Sequence, residues 1–446
     1  MLQYYCEFVK SSTYETELKV LKRLAGRFAE ITNQERKNDL IRYTAKTVSP
    51  DISEQEIAEI TEDINNFAPI GNFLADETIE DIMINNTSNV FVYSSKGGQG
   101  KSEIRFENRD QLDIFVDKLK LYSTNELAKG NIVDVHLPGG SRANIVSSPF
   151  GYDITIRNFK KKALSIIDLI NMGELDYQMA ARLWVYVDGF AVRPANLLIG
   201  GMPASGKTTL LNAMFSFFRP ETRVITIEET YELNTETQEN CVKLETDENL
   251  TMEELVKNAM RMRPDMIIIG EVRGAEANDM LTAMNIGKIC LGTIHASTAR
   301  DAVVRLENVP MNVPMQLIPA IDAIVITSQV FENRKPMRKI VQVAEISGIE
   351  TQVLLSDLYK FDYKTHKALP ILPSVTYRDT LSKLLGVLAQ DIINEEMVRA
   401  NLLLAMNKQG VRDLGGISQA VKGYYDSPQQ TLAKFGLGNM HPAIEL

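Results

Sequence analysis

One short stretch constrains this chain more than any other: Gly201-Met202-Pro203-Ala204-Ser205-Gly206-Lys207-Thr208. An apolar run, Asn196 to Gly200, precedes it, and a helix-forming run, Thr209 to Phe215, follows. Strand, glycine loop and helix in that order are the setting that the GxxxxGK[ST] phosphate loop requires, and a chance glycine turn would lack both flanks. The glycines let backbone N–H groups turn inward around a phosphate, and the new helix adds the positive end of its dipole. Gly201 to Thr209 form the expected nucleotide-binding segment. Lys207 would reach the β- and γ-phosphates, and Thr208 would offer its hydroxyl to Mg²⁺.

The rest of the middle of the chain agrees with this loop. From about residue 164 to 371, apolar runs alternate with helical ones, the pattern of a mainly parallel α/β sheet. Strands are expected at 196–200, 223–227, 265–270, 288–294, 323–327 and 340–346. Carboxylates and a histidine fall at the carboxyl ends of these strands, the edge where open α/β sheets bind ligands. Val224 to Ile227 ends in Glu228-Glu229, with Glu232 nearby. A carboxylate there can orient and deprotonate a water, although alone it would pass for an acidic surface loop. Met266 to Glu271 has the shape of a Walker-B strand, with Glu271 placed to hold Mg²⁺ partly through water. Asp265, at its leading end, reads as structural. His295 closes the run Leu291-Gly292-Thr293-Ile294, where it could donate to a γ-phosphate or relay between subunits.

The chain has 446 residues, enough for more than one domain with a full core, and a formal net charge of −10. That acidity argues against nucleic acid as the bulk partner. Its three cysteines are scattered and form neither a disulfide framework nor a zinc site, which suggests a reducing, cytoplasmic setting. The first residues lack the charge and apolar core of a signal peptide, and no run approaches the roughly 20 apolar residues that span a bilayer. Membrane contact is therefore expected only through partners.

Residues 1–66 read as a charged helical element and 67–158 as a compact α+β domain. In the latter, Ser102 to Phe106 alternates like a returning strand, and Pro138-Gly139-Gly140-Ser141 joins a hairpin. Gly97-Gly98-Gln99-Gly100-Lys101-Ser102 imitates a phosphate loop. It has Ser95 where the first glycine belongs and no helix after it, so it reads as a hairpin turn. Residues 159–163 are basic and are expected to be a hinge. From 372 to 446 the chain is helical again, its Leu and Met stripes pointing to core packing.

Taken together, the phosphate loop, Thr226-Ile227-Glu228-Glu229, Gly270-Glu271-Val272-Arg273-Gly274 and Thr293-Ile294-His295-Ala296 resemble the secretion-ATPase superfamily. That group includes type II and type IV secretion motors, type IV pilus motors, Tad-pilus ATPases and archaeal pilus and archaellum motors. Leu74 to Asn85, Gly140 to Asn144 and Thr155 to Phe159 are similar to the first strand motif and the two arginine segments of that family. The resemblance implies a RecA-like P-loop domain behind a smaller, PAS-like α+β lobe, with helical extensions, assembled as a homohexamer. It implies ATP hydrolysis with Mg²⁺, Glu228 as the catalytic carboxylate, Arg142 and Arg157 reaching the phosphates from the smaller lobe, and Arg273 on phosphate or a neighbouring subunit. Arg263, with Arg261, would serve a ring interface or simply end a solvated helix. Lys288 stands where many relatives carry an earlier histidine, and Glu229 stands where an aspartate is usual.

The expected function is a motor at the inner face of the cell membrane. It would act through a polytopic platform protein to assemble a pilus-like filament or export protein. The rivals are a nucleic-acid translocase built on the same core and a nucleotide sensor that does not turn over. The catalytic acids and His295 weigh against the sensor.

Overall fold

Apolar runs near the chain's centre are too long for one-faced strands, and they form a sheet buried on both sides. The computed structural model describes residues 12–444, except 30, 32, 77, 95–96, 124–130, 139, 159–162, 248–249 and 333–334. It divides into two compact units, Met1–Lys162 and Ala163–Leu446. Of the expected hinge at 159–163, only Ala163 is described.

The first unit begins with helices α1 (Ser12–Leu24), α2 (Gln34–Val48), α3 (Glu54–Asn65) and α4 (Gly71–Ala75). A capping box between Ser53 and Glu56 starts α3. Strands β1 (Ile79–Ile84), β2 (Val90–Ser94) and β3 (Gly98–Lys101), helix α5 (Arg109–Lys120), and strands β4 (Ile132–His136), β5 (Arg142–Ser148) and β6 (Gly151–Arg157) follow. The strands make one six-stranded sheet in the order β3-β2-β1-β6-β5-β4. Val20, Leu21, Ile41 and Ile57 from the helices share one core with Ile82, Ile145 and Ile154 from the sheet. Two sequence expectations change here. The strand pairing with β2 is Gly98–Lys101 itself, and Ser102 to Phe106 lies outside any strand. Beyond that edge strand, backbone bonds from Ser102 N to Val90 O and from Phe106 N to Thr87 O, both 2.8 Å, hold the segment without a strand ladder. Part of the expected turn, Ser95 and Lys96, is outside the described residues.

The second unit carries α6 (Ile166–Asn171), α7 (Tyr177–Asp188), β7 (Leu197–Gly201), α8 (Lys207–Met214), β8 (Val224–Glu228) and β9 (Cys241–Glu245). It continues with α9 (Met252–Ala259), β10 (Met266–Val272), α10 (Glu276–Asn285), β11 (Ile289–Ile294) and α11 (Ala299–Glu307). Strands β12 (Ala323–Glu332), β13 (Lys335–Ile349), β14 (Val353–Asp362) and β15 (Lys367–Pro370) precede helices α12 (Thr376–Leu385), α13 (Ala389–Lys408), α14 (Leu414–Asp426) and α15 (Pro428–Lys434). The nine-stranded sheet runs β15-β14-β13-β12-β7-β11-β10-β8-β9. Its segment from β12 to β9 is parallel, and β13 to β15 are added antiparallel. Successive residues point to opposite faces: Leu197 and Ile199 enter one core, Leu198 the other. This is the expected α/β architecture, with the phosphate-loop strand in the middle.

The C-terminal helices belong to the same core. Tyr424, Leu402 and Ile417 pack in the cluster that contains Trp184 and Leu211. Arg399 of α13 is fully buried, bonded to Asp188 at 2.8 Å and Glu395 at 3.0 Å. Its guanidinium also lies over the Trp184 and Phe190 rings. A buried charge persists only when it is paired in this way.

Candidate active site

The loop from Gly201 to Gly206 leaves the carboxyl end of β7 and enters α8 through a left-handed residue, Gly206, at φ 100°. A methyl group at Gly201 would fall 2.2 Å from Ser205 Oγ and 2.6 Å from Thr327 Oγ1, so only glycine fits. Lys207 is buried, and its Nζ donates to Gly201 O at 2.9 Å. Burial holds its pKa below the ordinary lysine value, with Glu271 pulling the other way. The ammonium thus rests on loop carbonyls, the posture of a cation that a phosphate oxygen could draw off. The β12–β13 hairpin braces the loop from outside. Ser205 Oγ meets Thr327 Oγ1 at 2.9 Å, and Ala204 O accepts from Arg338 Nε at 3.1 Å. Neither Thr327 nor Arg338 belongs to a motif, so no local pattern marks this bracing.

Glu228 ends β8 and is 2% exposed. Its Oε1 accepts from Glu232 N at 2.9 Å and Leu233 N at 3.0 Å. Its Oε2 is buried with no hydrogen-bond partner among the described residues. Burial pushes the carboxyl up to about 7; the two amides and Lys243 oppose this. Such a group is poised to gain and lose a proton near neutrality.

Glu271, near the end of β10, is the centre of a charged cluster. Its Oε1 lies 2.5 Å from His295 Nε2. Arg273 grips the other oxygen, with Nε at 2.8 Å, and reaches Glu229 with Nη1 at 3.0 Å. Burial, then Lys207, hold the His295 pKa below the ordinary imidazole value, while Glu271 opposes them. The hydroxyl of Thr293 ties β11 to Gly270 O at 2.6 Å. Asp265, at the other end of the strand, accepts from Arg223 N at 2.8 Å, a structural tether.

Lys207 feels the charge of Glu271, Arg273 and Glu232, and His295 that of Lys207. The structure therefore gathers Lys207, Glu271, Arg273 and His295 at one end of the sheet, with Glu228 beside Gly270 of the same strand that carries Glu271. Thr208 and Thr209 open α8. Arg263 is not brought there. It lies exposed before β10, at the opposite edge of the sheet, because the turn out of α9 runs at the amino ends of the strands. Lys288 is at that far edge too, donating to Pro264 O at 3.2 Å. Arg142 and Arg157 belong to the first unit and are cross-strand partners there. Arg142 Nη2 lies 3.1 Å from His136 Nε2, and Arg157 Nε is 3.2 Å from Asp81 Oδ1.

No group of three His, Cys, Asp or Glu among the described residues could cage a metal. The residues do fit Mg²⁺, which keeps most of its waters and needs only a hydroxyl such as Thr208, a carboxylate and substrate phosphate. The unpartnered buried oxygen of Glu228 also calls for a partner such as water. Sequence reading missed Asn212. This buried side chain of α8 bonds Glu232 O at 3.0 Å and Asn234 N at 2.7 Å. A polar residue inside an apolar helical run was its one visible sign.

The model of the family described as "Type II/IV secretion system protein" matches residues 63–351. The chain is 40% identical to an uncharacterized protein of Methanocaldococcus jannaschii over 48% of this chain, and spans only 31% of that relative. It is 32% identical to the conjugal transfer protein TrbB of Rhizobium radiobacter, over 48% of this chain and 68% of that one. A crystal structure of the pilus retraction motor PilT with bound ADP is similar at a TM-score of 0.48 and 16% identity, covering 82% of this chain and 95% of that one. No described helix is long and apolar enough to cross a membrane.

Proposed function

The chain belongs to the type II/IV secretion system protein family, and from that premise we propose that it is an ATP-hydrolysing motor. The observation that carries the reading is the pairing of a phosphate loop with a buried acid, Glu228, whose free oxygen has no partner among the described residues. The loop amides and Lys207 would bind the β- and γ-phosphates. Mg²⁺, when bound through Thr208 and, by way of water, Glu271, supplies positive charge to offset that of the phosphates. Glu228 would take the proton of the attacking water as general base. His295, on Glu271, would donate toward the γ-phosphate, and Arg273 would shift from Glu271 to phosphate or to a neighbouring subunit. Arg142 and Arg157 would close on the nucleotide from the first unit. A guanidinium suits that task, being planar, forked and always charged.

The finer reading is a homohexamer at the inner face of the cell membrane. It works on a polytopic platform protein to assemble a filament of the Tad or archaeal pilus type, or to export protein. The test is Lys207→Ala in the full chain. Turnover should be lost while the circular dichroism spectrum and the oligomer size stay unchanged, and full residual turnover refutes the assignment.

A second reading, a nucleic-acid translocase, is favoured by the similarity to a conjugal transfer protein. The net charge of −10 weighs against it. Stimulation of hydrolysis by single-stranded DNA would decide in its favour.

A further inference from the structure

We propose that Asn212 is a positioning residue for hydrolysis: it clamps the segment after β8 to the phosphate-loop helix and so decides which oxygen of Glu228 is left to take a proton. The proposal rests on the ATPase reading above. In the sheet order, β11 and β10 stand between β7 and β8. No ladder bond therefore joins the strand of the phosphate loop to the strand of the acid, and Asn212 supplies a direct link.

Both ends of its amide are used. Nδ2 donates to Glu232 O at 3.0 Å and Oδ1 accepts from Asn234 N at 2.7 Å. One partner is a carbonyl and the other an N–H, so the orientation of the amide is dictated. The N–H of Leu233 lies between these two contacts and that of Glu232 immediately before them, and together they hold Glu228 Oε1. Lys243 Nζ secures the same segment from β9, donating to Leu233 O at 3.2 Å. On the other side, Gly270 leaves just enough room, since a methyl group there would meet Glu228 Cγ at 3.0 Å. One oxygen is thus pinned by two amides and the other is left bare. A loose segment would let the carboxylate rotate and would remove the amides that keep it from being more basic still.

Steady-state hydrolysis of Mg·ATP by the full chain, followed over about pH 5.5 to 9, tests this. Asn212→Ala should lower kcat by about tenfold to a hundredfold with KM nearly unchanged. The acid limb of its pH profile should move to higher pH, because Glu228 loses amide donors. A wild-type profile, or a fall in kcat with the acid limb unmoved, overturns the proposal. If Asn212→Ala does not fold, Asn212→Ser, too short to span both contacts, is held to the same two outcomes. Failure of the ATPase reading looks different, since wild type and Lys207→Ala would then hydrolyse ATP equally or not at all.

Discussion

Replacing Glu228 with glutamine should make the protein more stable at alkaline pH while stopping turnover. The carboxyl is 2% exposed and is pushed from 4.5 to about 7, chiefly by burial. A folded-state pKa above the unfolded one means that the folded form holds the proton more tightly. The stability from this group is fully present below about pH 4.5 and is lost as pH rises through about 7. At 1.36 kcal/mol per pKa unit, ionising Glu228 costs the folded state about 3 kcal/mol by pH 8. A glutamine side chain at this position would keep an oxygen for the Glu232 and Leu233 amides and would carry no charge. Thermal unfolding should show the variant roughly 6–12 °C above wild type near pH 8 and nearly level with it near pH 5, since each kcal/mol moves a midpoint by roughly 2–4 °C in a unit of this size. ATPase activity should fall by about 10²–10⁴-fold, the usual worth of a general base. The wild-type rate should be half-maximal near pH 7 and about a tenth of its maximum a pH unit below. An equal thermal shift at both pH values would show that Glu228 is ordinary in its ionisation. Retained turnover would remove it from the chemistry.

The Glu271→Gln variant should still bind nucleotide but cycle at least about a hundredfold more slowly; binding of a fluorescent ATP analogue and phosphate release separate the two effects. Arg399→Leu leaves Glu395 buried without its cation and Asp188 with only Arg219, at 3.5 Å. It should destabilise the second unit by about 3–5 kcal/mol, seen as a lower urea midpoint. A loss below about 1 kcal/mol would mean that those acids take up protons or water instead.

What the sequence disclosed follows from burial. β7, β8, β10 and β11 lie inside the sheet, so their residues are mostly apolar, with Thr226 and Thr293 among the exceptions, and their limits are legible to within a residue or two. β9, Cys241–Glu245, escapes because it is an edge strand whose mixed polarity suits a half-wet position. β15 escapes for the same reason at the other edge, and β14 beside it, though paired on both sides, is half-buried and mixed in polarity. The acids were visible as strand-end residues, but their partners were not. The bonds from Asn212 to Glu232 and Asn234, and the ion pair of Arg399 with Asp188 across 211 positions, depend on which helix packs where. Local pattern carries no such information. Arg263 shows the converse: it stands close to Glu271 in sequence, yet a strand puts its two ends on opposite edges of a sheet. Motifs therefore locate the reacting groups, and packing decides their orientation. Glu228 is the clearest case: β8 alone would pass for a strand ending in an acidic loop, the four motifs together single the residue out, and which of its oxygens is left without a partner among the described residues depends on packing beyond β8.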